Sequence, residues 1–342
     1  MTTTIMVSIV VSVLFVAGIS LLSLYLLGSG ARISEVLFIT ASLVVLAVAA
    51  QYYLGPIILA SSTSLKYLGP GANRFLEKIV TDVSTRAQVP QPKIALVEDP
   101  APNAFVFGRT QGSATLAVHT GLLEALREDE IRAVIGHELG HVKHKDFIVL
   151  TMLSTIPLIA FIIGRVALEG TRIKARRQRK EEDAGLVLLA IGLFSYAIYM
   201  LSLMVVRRLS RLRESYADAY SAYVTGSPSS LIGALVKITY GATLDTGSRG
   251  LRAFYLVDPP MAAEEMKEIM ERKDTYDLNR DGVLSEAELE RAMEKEAESW
   301  SNKIATLFST HPPTYKRILL LKTIEDEMRV SGFSEGNIYR HI

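Results

Sequence analysis

The sequence predicts an α+β membrane protein that is mostly helical, with four hydrophobic helices and a soluble part built around one small β-sheet. Three observations carry this. Hydrophobic residues make up 49% of the 342 residues and gather in long uncharged runs. Three short strand-patterned segments lie close together between residues 94 and 118. Directly after them, a helix-forming run holds two histidines four residues apart, His137 and His141.

The elements follow in order. Residues 1–60 read as two N-terminal transmembrane helices, from the apolar runs Ile5–Leu27 and Val36–Leu54. The first is long enough as a helix to cross a hydrocarbon core of roughly 30 Å. A cleaved signal peptide is the competing reading of that run, but it has no charged leading region and is too long. Residues 61–147 form the first part of a soluble domain, entered through Leu68-Gly69-Pro70-Gly71-Ala72. The spacing there predicts a helix over Asn73–Ala87 and strands at Ile94–Val97, Ala104–Phe107 and Ala114–Val118. A helix near Gly121–Arg127 and another from about Asp129 follow. Residues 148–206 read as a hydrophobic hairpin of Ile148–Gly164 and Ala184–Val206, the first interrupted by Pro157 and limited by Arg165. Residues 207–258 carry a helix through Glu214 and, after the break at Gly226-Ser227-Pro228, a second over Leu231–Tyr240. The chain turns polar and acidic over 259–300, and 301–342 completes the soluble domain.

The chemistry starts at His137-Glu138-Leu139-Gly140-His141. On a helix, residues four apart share a face, so the two imidazoles can grip one zinc ion. Glu138 points about 100° around the axis, near enough to take a proton from a metal-bound water. A catalytic zinc takes three protein ligands and keeps one position open. With no cysteine in the chain, the third ligand must be His, Asp or Glu. Arg213-Glu214-Ser215-Tyr216-Ala217-Asp218 offers Glu214 as that ligand. One turn later, Asp218 can take the free ring N–H of His137 or His141 and fix its orientation.

With these residues in view, the chain resembles the HtpX-like membrane metalloproteases and their relatives, the type I CAAX prenyl proteases. Such proteins carry HExxH followed by a distant ExxxD that supplies the third ligand. Two further blocks fit: Pro102-Asn103-Ala104-Phe105-Val106-Phe107-Gly108, and Ser309-Thr310-His311-Pro312-Pro313-Thr314-Tyr315-Lys316-Arg317. The resemblance implies a gluzincin-type zinc endopeptidase domain on the cytoplasmic side of a multi-pass protein of the cell membrane. It also implies polypeptide substrates, damaged or misassembled membrane proteins above all. By the same resemblance, His311 donates to the oxygen that gains charge in the reaction. Arg317 is expected to brace Glu214 or help bind substrate.

The strands suggest how a substrate is held. Asn103, Ala104, Phe105 and Val106 form a candidate sheet edge to which an extended polypeptide can add as one more strand; an ordinary core strand is the alternative. A second metal pattern lies in Asp277–Glu288, which matches an EF-hand loop. Asp277, Asn279, Asp281 and Glu288 supply side-chain oxygens, Ser285 holds a water, Val283 gives its carbonyl, and Gly282 the sharp turn. Calcium is the expected ion, held by Ala262–Lys273 and Glu286–Ala297 as flanking helices, as a structural clip rather than a switch. An acidic helix–turn–helix that never fills is the alternative.

The remaining histidines read as structural: His144 beside the zinc helix, His119 at a strand end, His341 at the terminus. Asp146 could orient nearby groups, but a structural role is the favoured reading. Gly241–Trp300 could cover the cleft as a lid. The net charge of +1 gives no reason to invoke nucleic acid, and the lack of cysteine excludes disulfides and thiol catalysis. Basic residues crowd both ends of the hairpin, Arg172–Lys180 at one and Arg207–Arg213 at the other, so charge alone does not orient it. Two rival functions stand beside the peptidase: a non-catalytic zinc- and calcium-binding membrane regulator, against which Glu138 argues, and a prenyl-protein protease, for which the spans are too few. Oligomeric state is not legible.

Overall fold

The computed structural model describes residues 33–177, 182–242, 256–257, 259–281, 284–296, 309, 311–330 and 332–341. The expected first span, Ile5–Leu27, lies outside these. The chain falls into two compact units, one from residues 1–55 and 148–209, the other from residues 56–147 and 210–342.

In the first unit, α1 (Ile33–Ser62) is followed in space by α5 (Asp146–Arg177) and by the leading part of α6 (Glu182–Thr225). Among the described residues, Asp146–Glu169 and Gly185–Thr225 are long and apolar enough to cross a membrane. Pro157 does not end the helix as its position suggested; α5 runs through it. An apolar helix tolerates proline where neighbouring groups satisfy the freed carbonyl. Helices α5 and α6 pair antiparallel, with Ala160 against Ile198 and Gly164 against Ser195 and Tyr196. The Gln51 amide ties α1 to α5, donating to Ser154 Oγ at 2.7 Å and accepting from Thr155 Oγ1 at 2.7 Å.

In the second unit, four strands form one sheet: β1 (Leu65–Tyr67), β2 (Lys93–Val97), β3 (Ala104–Phe107) and β4 (Thr115–His119). Their order is β1-β2-β4-β3, with β2 and β4 parallel and both outer strands antiparallel. Three strands match the expected segments within a residue; β1, only three residues long, carries no such signal. Helix α2 (Arg74–Ala87) starts at Asn73, whose side chain accepts from the Leu76 N–H at 3.0 Å. It buries Leu76, Ile79, Val80 and Val83 against the core. Then come α3 (Thr120–Ala125) and α4 (Glu128–Lys143), the helix of the histidine pair.

The expected division at 206/207 falls inside helix α6, three residues before the boundary between the two units at 209/210. The apolar run and the Glu214 segment form one continuous helix of 44 residues. Nothing in Val206–Arg213 breaks a helix, since proline and glycine are absent there. Beyond it lie α7 (Pro228–Ala242), α8 (Pro259–Glu271), the short α9 (Lys273–Tyr276), α10 (Glu286–Glu296) and α11 (Thr314–Val330). Much of the expected lid lies outside the described residues. Its described helices are not a detached cover, because Met266, Ile269, Tyr276, Leu289, Ala292 and Met293 are buried in the main core. Burying that much apolar area ties α8–α10 to the domain.

Candidate metal centre

Helix α4 is pinned at both ends. At its start, the buried Glu130 carboxylate accepts the Arg127 N–H at 2.7 Å and pairs with Lys237 Nζ at 2.7 Å. At its end, Gln111 Nε2 donates to the carbonyls of Val142 and Lys143, both at 3.0 Å. These are carbonyls that a helix terminus leaves without intrahelical partners.

Helix α6 crosses α4 where both have small residues. A Cβ on Gly140 would stand 3.1 Å from Ala217 Cα, and one on Gly136 3.0 Å from Ser221 Oγ. Ser221 Oγ also donates to the Ala133 carbonyl at 2.6 Å. The close crossing carries Glu214 to the histidine pair.

There two ring nitrogens and one carboxylate converge, His137 Nε2 facing Glu214 Oε2 and His141 Nε2 facing Oε1. His137 Nε2 and His141 Nε2 are 3.2 Å apart, and each is 3.5 Å from an oxygen of Glu214. Zinc at about 2.0–2.1 Å from four tetrahedral ligands separates them by about 3.3 Å, so the spacing of the two nitrogens and their approach to the carboxylate suit that ion. It is the one such group among the described residues. The donor chemistry agrees, since both imidazoles engage carboxylates through Nδ1 and leave Nε2 for the metal. His137 Nδ1 lies 2.9 Å from Asp218 Oδ1, and His141 Nδ1 lies 2.7 Å from Asp146 Oδ2.

Arg317 is the largest fully buried side chain, 1% exposed. Its guanidinium grips Asp218 with two bonds, Nε to Oδ2 at 2.8 Å and Nη2 to Oδ1 at 2.6 Å, and donates to the Leu256 carbonyl at 2.6 Å. It stands 3.9 Å from Glu214 Oε2. Its main partner is thus the carboxylate that holds His137. His311 is buried with Nδ1 3.1 Å from Glu214 Oε2. The buried Ser309 fastens this segment: its Oγ donates to the His311 carbonyl at 2.8 Å, and its own carbonyl accepts from Arg211 at 2.8 Å.

Electrostatics follow from burial and these partners. Burial pushes the Glu138 carboxyl up, while His141, His137 and a hydrogen bond from the Val106 N–H pull the other way. Burial would lower His137, yet its bonds to Asp218 and Glu214 raise it. Burial likewise opposes charge on His141, but the Asp146 bond and the Glu214 charge push it up to about 9. Zinc binding would displace those protons.

The candidate sheet edge has a defined polarity. The His119 N–H donates to the Asn103 carbonyl at 2.9 Å, and the register pairs Phe105 with Ala117. Antiparallel hydrogen bonding alternates, so Asn103, Phe105 and Phe107 turn their backbone groups towards β4. Ala104 and Val106 present theirs to the outer side, where no described strand pairs with them. The Asn103 side chain is buried and accepts the Leu256 N–H at 2.9 Å. It therefore anchors the chain segment whose carbonyl holds Arg317, a link between distant loops that only the fold reveals.

The other singled-out residues have ordinary surroundings. His119 is buried against Phe105, and His341 bonds Glu327 at 2.6 Å. His144 lies over the Tyr216 ring, with Nε2 3.1 Å from the Tyr339 hydroxyl. In the acidic loop, the Glu288 carboxylate accepts from the N–H groups of Leu278 and Ser285 at 2.8 and 2.9 Å, and from Ser285 Oγ at 2.7 Å. Asn279 and Asp281 bond each other at 2.8 Å, Asp277 is buried, and Val283 lies outside the described residues.

Two histidines and a glutamate around one point, with a second glutamate between the histidines on the same helix, define a metalloprotease. The family model described as peptidase family M48 matches residues 70–325. The Protease HtpX homolog of Moorella thermoacetica is 34% identical, with 81% of each chain covered. That of Aeropyrum pernix is 32% identical, covering 87% of this chain and 88% of its own. Protease HtpX homolog 2 of Methanosarcina mazei is 30% identical over 82% of each. The crystal structure of S. mikatae Ste24p is a more distant likeness, with 14% identity and a TM-score of 0.47 over 83% of this chain and 57% of that one. The chain belongs to peptidase family M48.

Proposed function

We propose that this metalloprotease is a zinc-dependent endopeptidase of the cell membrane that cleaves damaged or misassembled membrane proteins on the cytoplasmic side. The observation that carries the zinc reading is that His137 Nε2 and His141 Nε2 stand 3.2 Å apart, each 3.5 Å from one of the two oxygens of Glu214. The two long apolar helices support the membrane reading.

His137, His141 and Glu214 would hold the zinc. When bound, the ion supplies Lewis acidity that activates water and polarises the scissile carbonyl. Glu138 accepts the proton of the attacking water and returns it to the departing amine. Its raised proton affinity suits a group that must both take and give a proton. His311 donates to the carbonyl oxygen as it gains charge, a contribution of around 2.7–4 kcal/mol for such a donor. Asp218 and Arg317 keep the His137 ring from turning. The outward N–H and C=O of Ala104 and the outward C=O of Val106 hold the substrate as an added strand, while the Val106 N–H serves Glu138.

The test is zinc content and casein cleavage of the detergent-purified protein beside Glu138→Gln. Zinc in both with cleavage only in the wild type is the expected result. Zinc in both and cleavage in neither would instead return the non-catalytic reading. Calcium at Asp277–Glu288 remains a separate proposal, supported by the loop pattern and by the inward-turned Glu288 carboxylate. Calcium titration should produce a heat of binding that Glu288→Gln abolishes; no heat in the wild type would reduce the segment to a turn.

A further inference from the structure

We propose that Asp146, clamped by Arg213, is the positioning residue for His141, so that each histidine of the centre has a buried carboxylate and a guanidinium of its own. This rests on the zinc reading of the site. Five residues separate His141 from Asp146, which on a continuous helix would put the two about 140° apart around the axis. The helix does not continue. It ends at Lys143, and Lys145 adopts a left-handed conformation with φ 56°. That conformation is uncommon for a residue with a side chain. The Lys145 N–H bonds back to the Val142 carbonyl at 3.1 Å, and the reversed chain returns Asp146 beneath the histidine.

Asp146 is 3% exposed, and both its oxygens are engaged. Oδ2 lies 2.7 Å from His141 Nδ1, and Oδ1 accepts from Arg213 Nε at 2.5 Å. Arg213 Nη2 also donates to the His144 carbonyl at 2.9 Å, in the same turn. Arg213 directly precedes Glu214. Helix α6 thus delivers a metal ligand and the clamp for the other ligand's support on successive residues.

The arrangement repeats that on His137, where Arg317 holds Asp218 and Asp218 meets Nδ1. A carboxylate on Nδ1 leaves Nε2 facing the metal, fixes the ring and raises its basicity, and losing such a partner typically costs 10–100-fold in metal affinity. Asp146 also opens α5, where an N-terminal carboxylate has a purely structural use. The two roles separate by readout, because a first-turn charge acts on helix stability whereas a partner on Nδ1 acts on zinc affinity.

The experiment measures zinc affinity of the full-length, metal-stripped protein by chelator competition, all in the Glu138→Gln background to prevent self-cleavage. Asp146→Asn is expected to fold, to melt below its parent because Arg213 loses its buried counter-charge, and to bind zinc 10–100-fold more weakly, whereas Arg213→Gln keeps the carboxylate on His141. Arg213→Gln should weaken zinc by less, and the double variant no more than Asp146→Asn alone, since both act through one carboxylate. Parental zinc affinity in a folded Asp146→Asn protein overturns the inference while leaving the zinc site standing. Should Asp146→Asn not fold, parental affinity in Arg213→Gln overturns it equally. A parent that binds no zinc overturns the zinc reading and this inference with it.

Discussion

Gly140 meets Ala217 so closely that a Cβ on the glycine would stand 3.1 Å from the alanine Cα. This contact sets the separation of α4 and α6, and hence the distance from Glu214 to the two imidazoles. A side chain at residue 140 would meet backbone, which cannot swing aside. Gly140→Val should cost about 1–3 kcal/mol by overpacking. It should also lower zinc affinity, although no ligand has changed. Thermal melting and chelator competition on one sample would check both, with Glu138→Gln as the control that keeps its metal.

The buried Arg317–Asp218 pair makes a different prediction. Removing one partner of a buried ion pair leaves the other uncompensated, which typically costs about 3–5 kcal/mol. Arg317→Met should therefore melt far below the wild type and lose zinc. Arg317→Lys should rescue the charge but not the two-bond grip on Asp218, giving a folded protein with weakened metal binding. Wild-type zinc affinity in Arg317→Lys would show that the fork geometry is unimportant.

Glu265 predicts a pH dependence. Its carboxylate accepts the Thr314 N–H at 3.1 Å, capping the start of α11, the helix that carries Arg317. Burial pushes the carboxyl up to about 7 from its ordinary 4.5; the Thr314 hydrogen bonds and Arg317 draw it down, and Glu268 adds to the rise. Below pH 4.5 the folded and unfolded chains both hold the proton. Between 4.5 and 7 only the folded chain holds it, so this group's stabilising effect is progressively lost as pH rises through 7. The penalty is on the order of 3 kcal/mol when complete. Glu265→Gln, which keeps the acceptor for Thr314, should melt higher than the wild type at pH 8 and no higher at pH 4.5.

The sheet edge can be tested without touching the enzyme. If a substrate strand pairs with Ala104 and Val106, replacing single substrate amides by esters should reduce kcat/KM at alternate positions only. Each lost hydrogen bond of about 0.5–1.5 kcal/mol corresponds to roughly a 2–12-fold fall. A uniform effect at every position would remove β-strand addition as the binding mode.

Much of this centre was legible before any coordinates. His137, Glu138 and His141 are fixed relative to one another by one helical turn, and helical geometry is local. Glu214 and Asp218 follow from the same four-residue logic on a second helix. The strands expected at 94–97, 104–107 and 114–118 showed through short apolar runs bounded by Pro, Asn, Gly and Gln, which are also local signals. Other features have no local signal. Helix α6 runs unbroken from its apolar half into the metal site, yet composition changes so sharply near Val206 that it reads as a boundary.

By itself, then, the sequence determined which residues could hold a metal, because ligand type and helical spacing are written in residues a few positions apart. Tertiary structure alone decided which carboxylate serves which histidine. Asp146 reaches His141 only because Lys145 turns left-handed, and Arg317 reaches Asp218 across 99 residues. The Asn103 side chain likewise accepts the Leu256 N–H across 153 residues. Such partners are chosen by the need to satisfy buried charges and polar groups, and that need arises only once the chain has closed around them.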